Sequence, residues 1–121
     1  MIYLHYYIAN FATIKTLRHQ VDLKSLKMFV SLAKSLHFAK TAGMYHVSPS
    51  TLSRAIQRLE EEVGCDLLHR DNRTVTLSEA GKQFQFFAEQ QIEQWKLLQL
   101  SLNQQQAQLQ GKLHLYCSVT A

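Results

Sequence analysis

Two cysteines, one proline and four glycines are all that 121 residues contain of the types that most constrain a backbone. Cys65 and Cys117 stand far apart, with no C-x-x-C and no ligand-like spacing. That excludes a disulfide framework and a cysteine zinc site, and fits a reducing, cytoplasmic setting. So little glycine and proline rules out collagenous and low-complexity chains. Also lacking are a Gly-rich phosphate loop and a nucleophile elbow, and the histidines His5, His19, His37, His46, His69 and His114 are scattered without metal spacing on a helix. The one carboxylate cluster, Glu60 to Glu62, reads as a solvated helix end, and Cys65 as a small apolar filler. His37 and His46 are expected to pack or face solvent at the ends of a helix. Neither an enzyme, nor a metal site, nor a bound cofactor is expected.

What is present is an ordinary globular composition, 46% hydrophobic and 18% charged, at the length of one domain. Thirteen Lys and Arg against nine Asp and Glu leave a formal charge of +4. That permits a nucleic-acid partner, and the placement of the charges must decide. Residues 1–20 are aromatic and apolar but are interrupted by His5 and Asn10, and their only cations, Lys15 and Arg18, lie on the wrong side for a secretory leader. The run is not a spanning helix either, so no membrane partner is expected. At Val21 the texture changes to an amphipathic helix, with Leu23, Leu26, Phe29, Val30, Ala33 and Leu36 on one face. Val21 is therefore read as the true start, printed for a GUG codon, and residues 1–20 as upstream sequence translated in error.

HFAKTAGMYHV repeats Phe38, Ala39, Ala42 and Tyr45 or His46 at helical spacing, and ends before Ser48-Pro49-Ser50. Ser48 can cap the next helix, and Pro49 suits a first helical position because it has no N–H to leave unsatisfied. That helix carries Leu52, Ile56, Leu59 and Val63 as its apolar stripe, and Gly64 ends it. Two short helices joined at such a turn make a helix-turn-helix candidate.

Charge sharpens this reading. Between Phe38 and Arg58 stand Lys40, Arg54 and Arg58 and no acid, whereas Glu60, Glu61, Glu62 and Asp66 follow at once. A helix entering the major groove needs that asymmetry, because its N-terminal residues meet bases and phosphates. Ser50, Ser53, Arg54 and Gln57 share the face opposite the apolar stripe. Arg can take guanine O6 and N7 together, and Gln adenine N6 and N7. The bland alternative is a solvated helix face.

Leu67-Leu68 and Thr74 to Leu77 read as two short strands around Asp71-Asn72-Arg73, a hairpin wing holding Arg70 and Arg73 at its tip towards a phosphate strand or minor groove. Ser78-Glu79 then opens a long helix. Phe84, Ala88, Gln91, Trp95, Leu98 and Leu102 repeat along it by four and three, the spacing of a coiled-coil dimer seam, although eleven glutamines between Gln83 and Gln110 dilute it. A helix lying on its own domain is the alternative. Gly111 ends the helix, and residues 111–121 alternate like the first strand of a further domain, since a lone strand is not stable. The expected organisation is mainly α: a winged helix-turn-helix over 21–78, with the helix-turn-helix at 38–57 and the wing at 67–77, then a dimerisation linker helix over 79–110.

VSPSTLSRAIQRLEEEVGCDLL followed by RDNRTVTLSEAG resembles the DNA-binding domain of the LysR-type transcriptional regulators, and the likeness covers residues 21–121. Within the family, SPSTLSR, RDNRTVTLSEAG and GKLHLYCSVTA are most like regulators of isoleucine and valine biosynthesis. The resemblance implies base and phosphate contacts at Pro49, Ser50, Ser53, Arg54 and Arg73, to which the charge pattern adds Gln57, Arg58 and Arg70. It implies double-stranded DNA as partner and a homodimer, or a tetramer at full length. RNA polymerase is a further implied partner, and a small-molecule inducer, an acetohydroxy acid, would bind through a two-lobed domain that is not in this sequence. The chain departs from the family pattern at Ala42-Gly43, where Ala-Ala is usual, and at Cys65-Asp66. A truncated regulator without ligand sensing, or an interaction module acting through the long helix, stands as the alternative.

Overall fold

The computed structural model describes residues 21–119, so the reading of residues 1–20 as an upstream extension lies outside the described residues. Helix α1, Leu23–Ser35, begins after Asp22, whose carboxylate accepts from the Ser25 N–H at 2.8 Å. Hydrogen bonding from Ser25, through its side chain first and its backbone N–H second, holds the Asp22 carboxyl below its ordinary value. Leu36, expected on the apolar face, is instead the left-handed cap of α1 at φ 54°. Its N–H turns back to the Leu32 carbonyl at 2.7 Å, and the side chain swings off the core face to 39% exposure.

Helix α2, Phe38–Met44, is capped by His37, whose imidazole Nδ1 accepts from the Lys40 N–H at 3.1 Å. His37 therefore has a definite task at the end of the helix. Tyr45 follows and is half-buried on the core; its hydroxyl donates to the Lys27 carbonyl at 3.0 Å and lies 2.8 Å from the Ser31 hydroxyl. His46 is exposed at φ 55°.

Helix α3, Pro49–Val63, has the expected ends. The Ser48 hydroxyl accepts from the Thr51 N–H at 3.2 Å, and Gly64 sits at φ 85°, sending its N–H to the Glu60 carbonyl at 2.8 Å. Leu52, Ile56 and Leu59 are buried as the stripe requires, while Val63 at the far end is 42% exposed. They meet Phe29 and Leu32 of α1 and Leu67 ahead of the wing in one core. Each such apolar side chain contributes about 1.5–3 kcal/mol on burial.

Strands β1, Leu68–Arg70, and β2, Val75–Leu77, pair antiparallel, with Leu68 opposite Leu77 and Arg70 opposite Val75. Ser78 joins this wing to helix α4, Glu79–Val119. Its hydroxyl donates to the Asp66 carbonyl at 2.7 Å and accepts from the Gly81 N–H at 2.9 Å, while its N–H reaches the Leu67 carbonyl at 3.0 Å. At Gly81 the helix comes so close to the wing that a Cβ would collide with the Leu67 carbonyl and lie 3.1 Å from Leu77 Cδ2. Only glycine allows that approach.

Two expectations for α4 need correction. Ala88 is not available to a dimer seam, and Phe84 is so only in part. Ala88 is fully buried with Leu26 and Val30 of α1, and the Phe84 ring meets Phe29 edge-on at 5.1 Å. The first turns of α4 are part of the domain's own core. Residues 111–119, expected to be a strand, continue the helix. An unpaired strand leaves its N–H and C=O groups without partners in the sheet direction, and a helix satisfies them internally. The 41 residues of α4 span about 60 Å at 1.5 Å per residue.

Candidate nucleic-acid interface

The N-terminal half of α3 lies at the surface because its other face fills the core. Pro49, Ser50, Arg54, Gln57 and Arg58 are exposed, and Ser53 is half-buried. The first turn holds no acid. Its hydroxyls interlock, with the Ser48 Oγ 3.0 Å from that of Ser50 and 2.8 Å from Oγ1 of Thr51. The unsatisfied N–H groups and positive dipole end of a helix favour an anion at such a terminus.

The wing divides its two arginines. Arg73 is exposed in the turn, which the Asp71 N–H closes onto the Thr74 carbonyl at 2.9 Å. Asp71, the acid beside it, accepts from the Asn72 N–H at 2.8 Å. Arg70, expected at the tip beside Arg73, is instead the last residue of β1 and folds back onto α3. Its Nη1 donates to the Ser53 Oγ at 2.9 Å, its Nη2 lies 3.5 Å from Glu60 Oε1, and its guanidinium carbon sits 4.9 Å from the centroid of the Phe38 ring. The other oxygen of Glu60 accepts from the Leu67 N–H at 3.0 Å. Glu60 is thus a tie between α3 and the wing rather than a solvated end, with its side chain only 13% exposed.

The sequence pattern missed this cluster of Phe38, Ser53, Glu60 and Arg70. Its members are up to 32 positions apart, and no local spacing announces them. Cys65 is likewise exposed, not a core filler. Among the described residues no group of three metal-ligating side chains occurs. Among them also, no helix is long and apolar enough to cross a membrane.

Along α4, the seam positions Gln91, Trp95, Leu98 and Leu102 are exposed, the last three at 46%, 49% and 54%. Leu97, Leu100 and Leu109 are more than half exposed, so the apolar surface wraps well round the helix beyond Ile92.

Residues 23–82, from the start of α1 into the first turn of α4, match the family model of the bacterial regulatory helix-turn-helix proteins of the lysR family. The structure superposes on the DNA-binding domain of BenM in its complex with benA site 1 DNA with a TM-score of 0.65 and 31% identity, covering 72% of this chain and 97% of that one. The chain belongs to the LysR family. This LysR chain is also 55% identical over 101 residues to the HTH-type transcriptional activator IlvY of Salmonella typhimurium, a match covering 84% of the chain and 34% of that protein. It superposes on Vibrio fischeri DarR in complex with DNA with a TM-score of 0.66 and 31% identity, over 74% of this chain and 30% of DarR. It spans about a third of the length of the curated LysR relatives it matches. Its winged helix-turn-helix and long following helix are those of the family's DNA-binding domains.

Proposed function

We propose that this chain is the DNA-binding module of a LysR-type transcription regulator, without enzymatic activity and acting in the cytoplasm. The observation that carries the reading is the exposed, acid-free N-terminal half of α3, with Arg54, Gln57 and Arg58 displayed over a buried Leu52, Ile56 and Leu59. That is the surface a recognition helix presents to the major groove. Pro49, Ser50 and Ser53 would lie at the entering end, and Arg73 would reach the neighbouring backbone or minor groove.

The second half of α4, through Gln91, Trp95, Leu98 and Leu102, would pair two copies. Their recognition helices would then read an inverted repeat with half-sites about 34–36 Å apart. The identity to IlvY and the motifs SPSTLSR and RDNRTVTLSEAG support a regulator of isoleucine and valine biosynthesis. A small-molecule inducer would enter through a separate effector-binding domain, and RNA polymerase would be met in the assembled regulator.

Arg54→Ala tests the reading. It is expected to cost about 1–3 kcal/mol in binding a duplex that this chain enriches from a random pool, and to relax preference at one position. An equal, small loss on every duplex would reduce the module to a nonspecific polyanion binder.

A further inference from the structure

The Arg70 cluster carries a consequence for how DNA is read. Arg70 touches three elements at once: Phe38 of α2, Ser53 and Glu60 of α3, and its own strand β1. Its charge is offset by Glu60 at 3.5 Å, so the pair brings little net positive charge to a phosphate. A serine hydroxyl has one hydrogen and two acceptor lone pairs. Arg70 Nη1, 2.9 Å away, takes one lone pair from the protein side and holds the Oγ in place. The hydrogen of Ser53 is then left for an acceptor outside the protein. Without the guanidinium, the hydroxyl rotates freely and presents either a donor or an acceptor.

We propose that Arg70 is a positioning residue, not a DNA contact, and that through Glu60 and Phe38 it fixes the Ser53 hydroxyl as a hydrogen-bond donor to an acceptor atom of DNA. This rests on the DNA-binding reading above. The acceptor is a base edge or a phosphate oxygen, and the two differ in sequence dependence. Loss from Ser53→Ala confined to one base pair marks a base acceptor, and loss on every duplex marks a phosphate. A fixed donor also discriminates against positions that offer only a donor, which a freely rotating hydroxyl tolerates.

The test measures anisotropy titrations of the 121-residue chain on its pool-enriched duplex over a range of salt, for Ser53→Ala, Arg70→Met, Arg70→Lys and the double variant Ser53→Ala/Arg70→Met. Arg73→Ala serves as a reference. Arg70→Met keeps the apolar stem over Phe38 and removes the donors. It is expected to weaken binding about fivefold, a magnitude within the usual coupling between touching side chains. The salt slope should stay that of the wild type, and the double variant should bind no worse than Ser53→Ala alone. Arg70→Lys keeps the charge without the planar fork and is expected to lose the same affinity. It also covers the case in which the methionine variant fails to fold.

A salt slope shallower by about one in Arg70→Met would make Arg70 a phosphate contact and overturn the proposal. Losses from Ser53→Ala and Arg70→Met that simply multiply, or full rescue by lysine, would overturn it too. Failure of the DNA-binding reading itself looks different: Arg73→Ala would then leave affinity and salt slope untouched as well.

Discussion

The two halves of α4 are built from similar residues and have opposite surroundings. From Glu79 to Ile92 one face of the helix is folded into the domain, with Ala88 fully buried and Phe84 edge-on against Phe29, while Phe86 and Phe87 on the other face are exposed. From Trp95 onward the apolar side chains of the described residues lie 46–65% exposed. A seam of fours and threes runs through both halves, so periodicity alone does not say whether a helix packs on its own chain or on another. What separates them is the reach of α1, whose Leu26, Phe29 and Val30 cover only the first turns. The wing repeats the lesson at the scale of one residue type: Arg70 is tied to α3, and Arg73, three positions on, is exposed in the turn.

Phe84→Ala should separate the two halves most clearly. If the first half of α4 belongs to the core, this loses about 3 kcal/mol of stability, read as a lowered denaturation midpoint that does not depend on protein concentration. A midpoint shift that vanished on dilution would return Phe84 to an interface between copies. Leu98→Ala probes the other half. It should leave the stability of the winged domain unchanged and weaken self-association by about 1–2 kcal/mol. The readout is the emission of Trp95, the sole tryptophan, which should move to the blue with rising concentration in the wild type and less in the variant.

Asp22→Ala removes the cap of α1, the helix on which the buried half of α4 rests, at a cost of about 1 kcal/mol. The sign with pH follows from the lowered Asp22 carboxyl. A depressed acid stabilises the fold above its ordinary value of 3.8, and that stabilisation is lost as pH falls through the folded value. Melting curves of the two proteins should therefore differ at pH 7 and converge in strong acid. Smallest of all is Gly43→Ala. A Cβ there meets nothing within 4 Å, so thermal melting should show α2 gaining up to about 1 kcal/mol.

Much of the fold was legible wherever a local rule sets it. Ser48-Pro49 and Gly64 mark both ends of α3 by capping chemistry, Leu52, Ile56 and Leu59 mark its buried face, and Ser78-Glu79 opens α4. Local spacing likewise puts Ser50, Arg54 and Gln57 on the exposed face, whereas Ser53, expected with them, is half-buried. It failed where contacts join distant segments. Arg70 reaches Ser53 across 17 positions, and Glu60 reaches Leu67 after a turn, so a charge count reads both as solvated. Leu36 sat on the right spoke of the helical pattern, yet α1 had already ended in a left-handed cap. Residues 111–119 alternate like a strand, and in the structure they lie in a helix that satisfies its backbone without a sheet.

In the proposed function the exposed half of α3 and the Arg73 turn read double-stranded DNA. This is tested most directly by fluorescence-anisotropy titration of the 121-residue chain against DNA from upstream of its own gene and against a scrambled duplex, at two salt concentrations. Binding should be tighter to the native region, with a steep negative dependence of log K on log salt, of about −0.9 for each phosphate contact. Equal, salt-insensitive binding to both duplexes would contradict it and turn attention to the exposed half of α4 as the working surface.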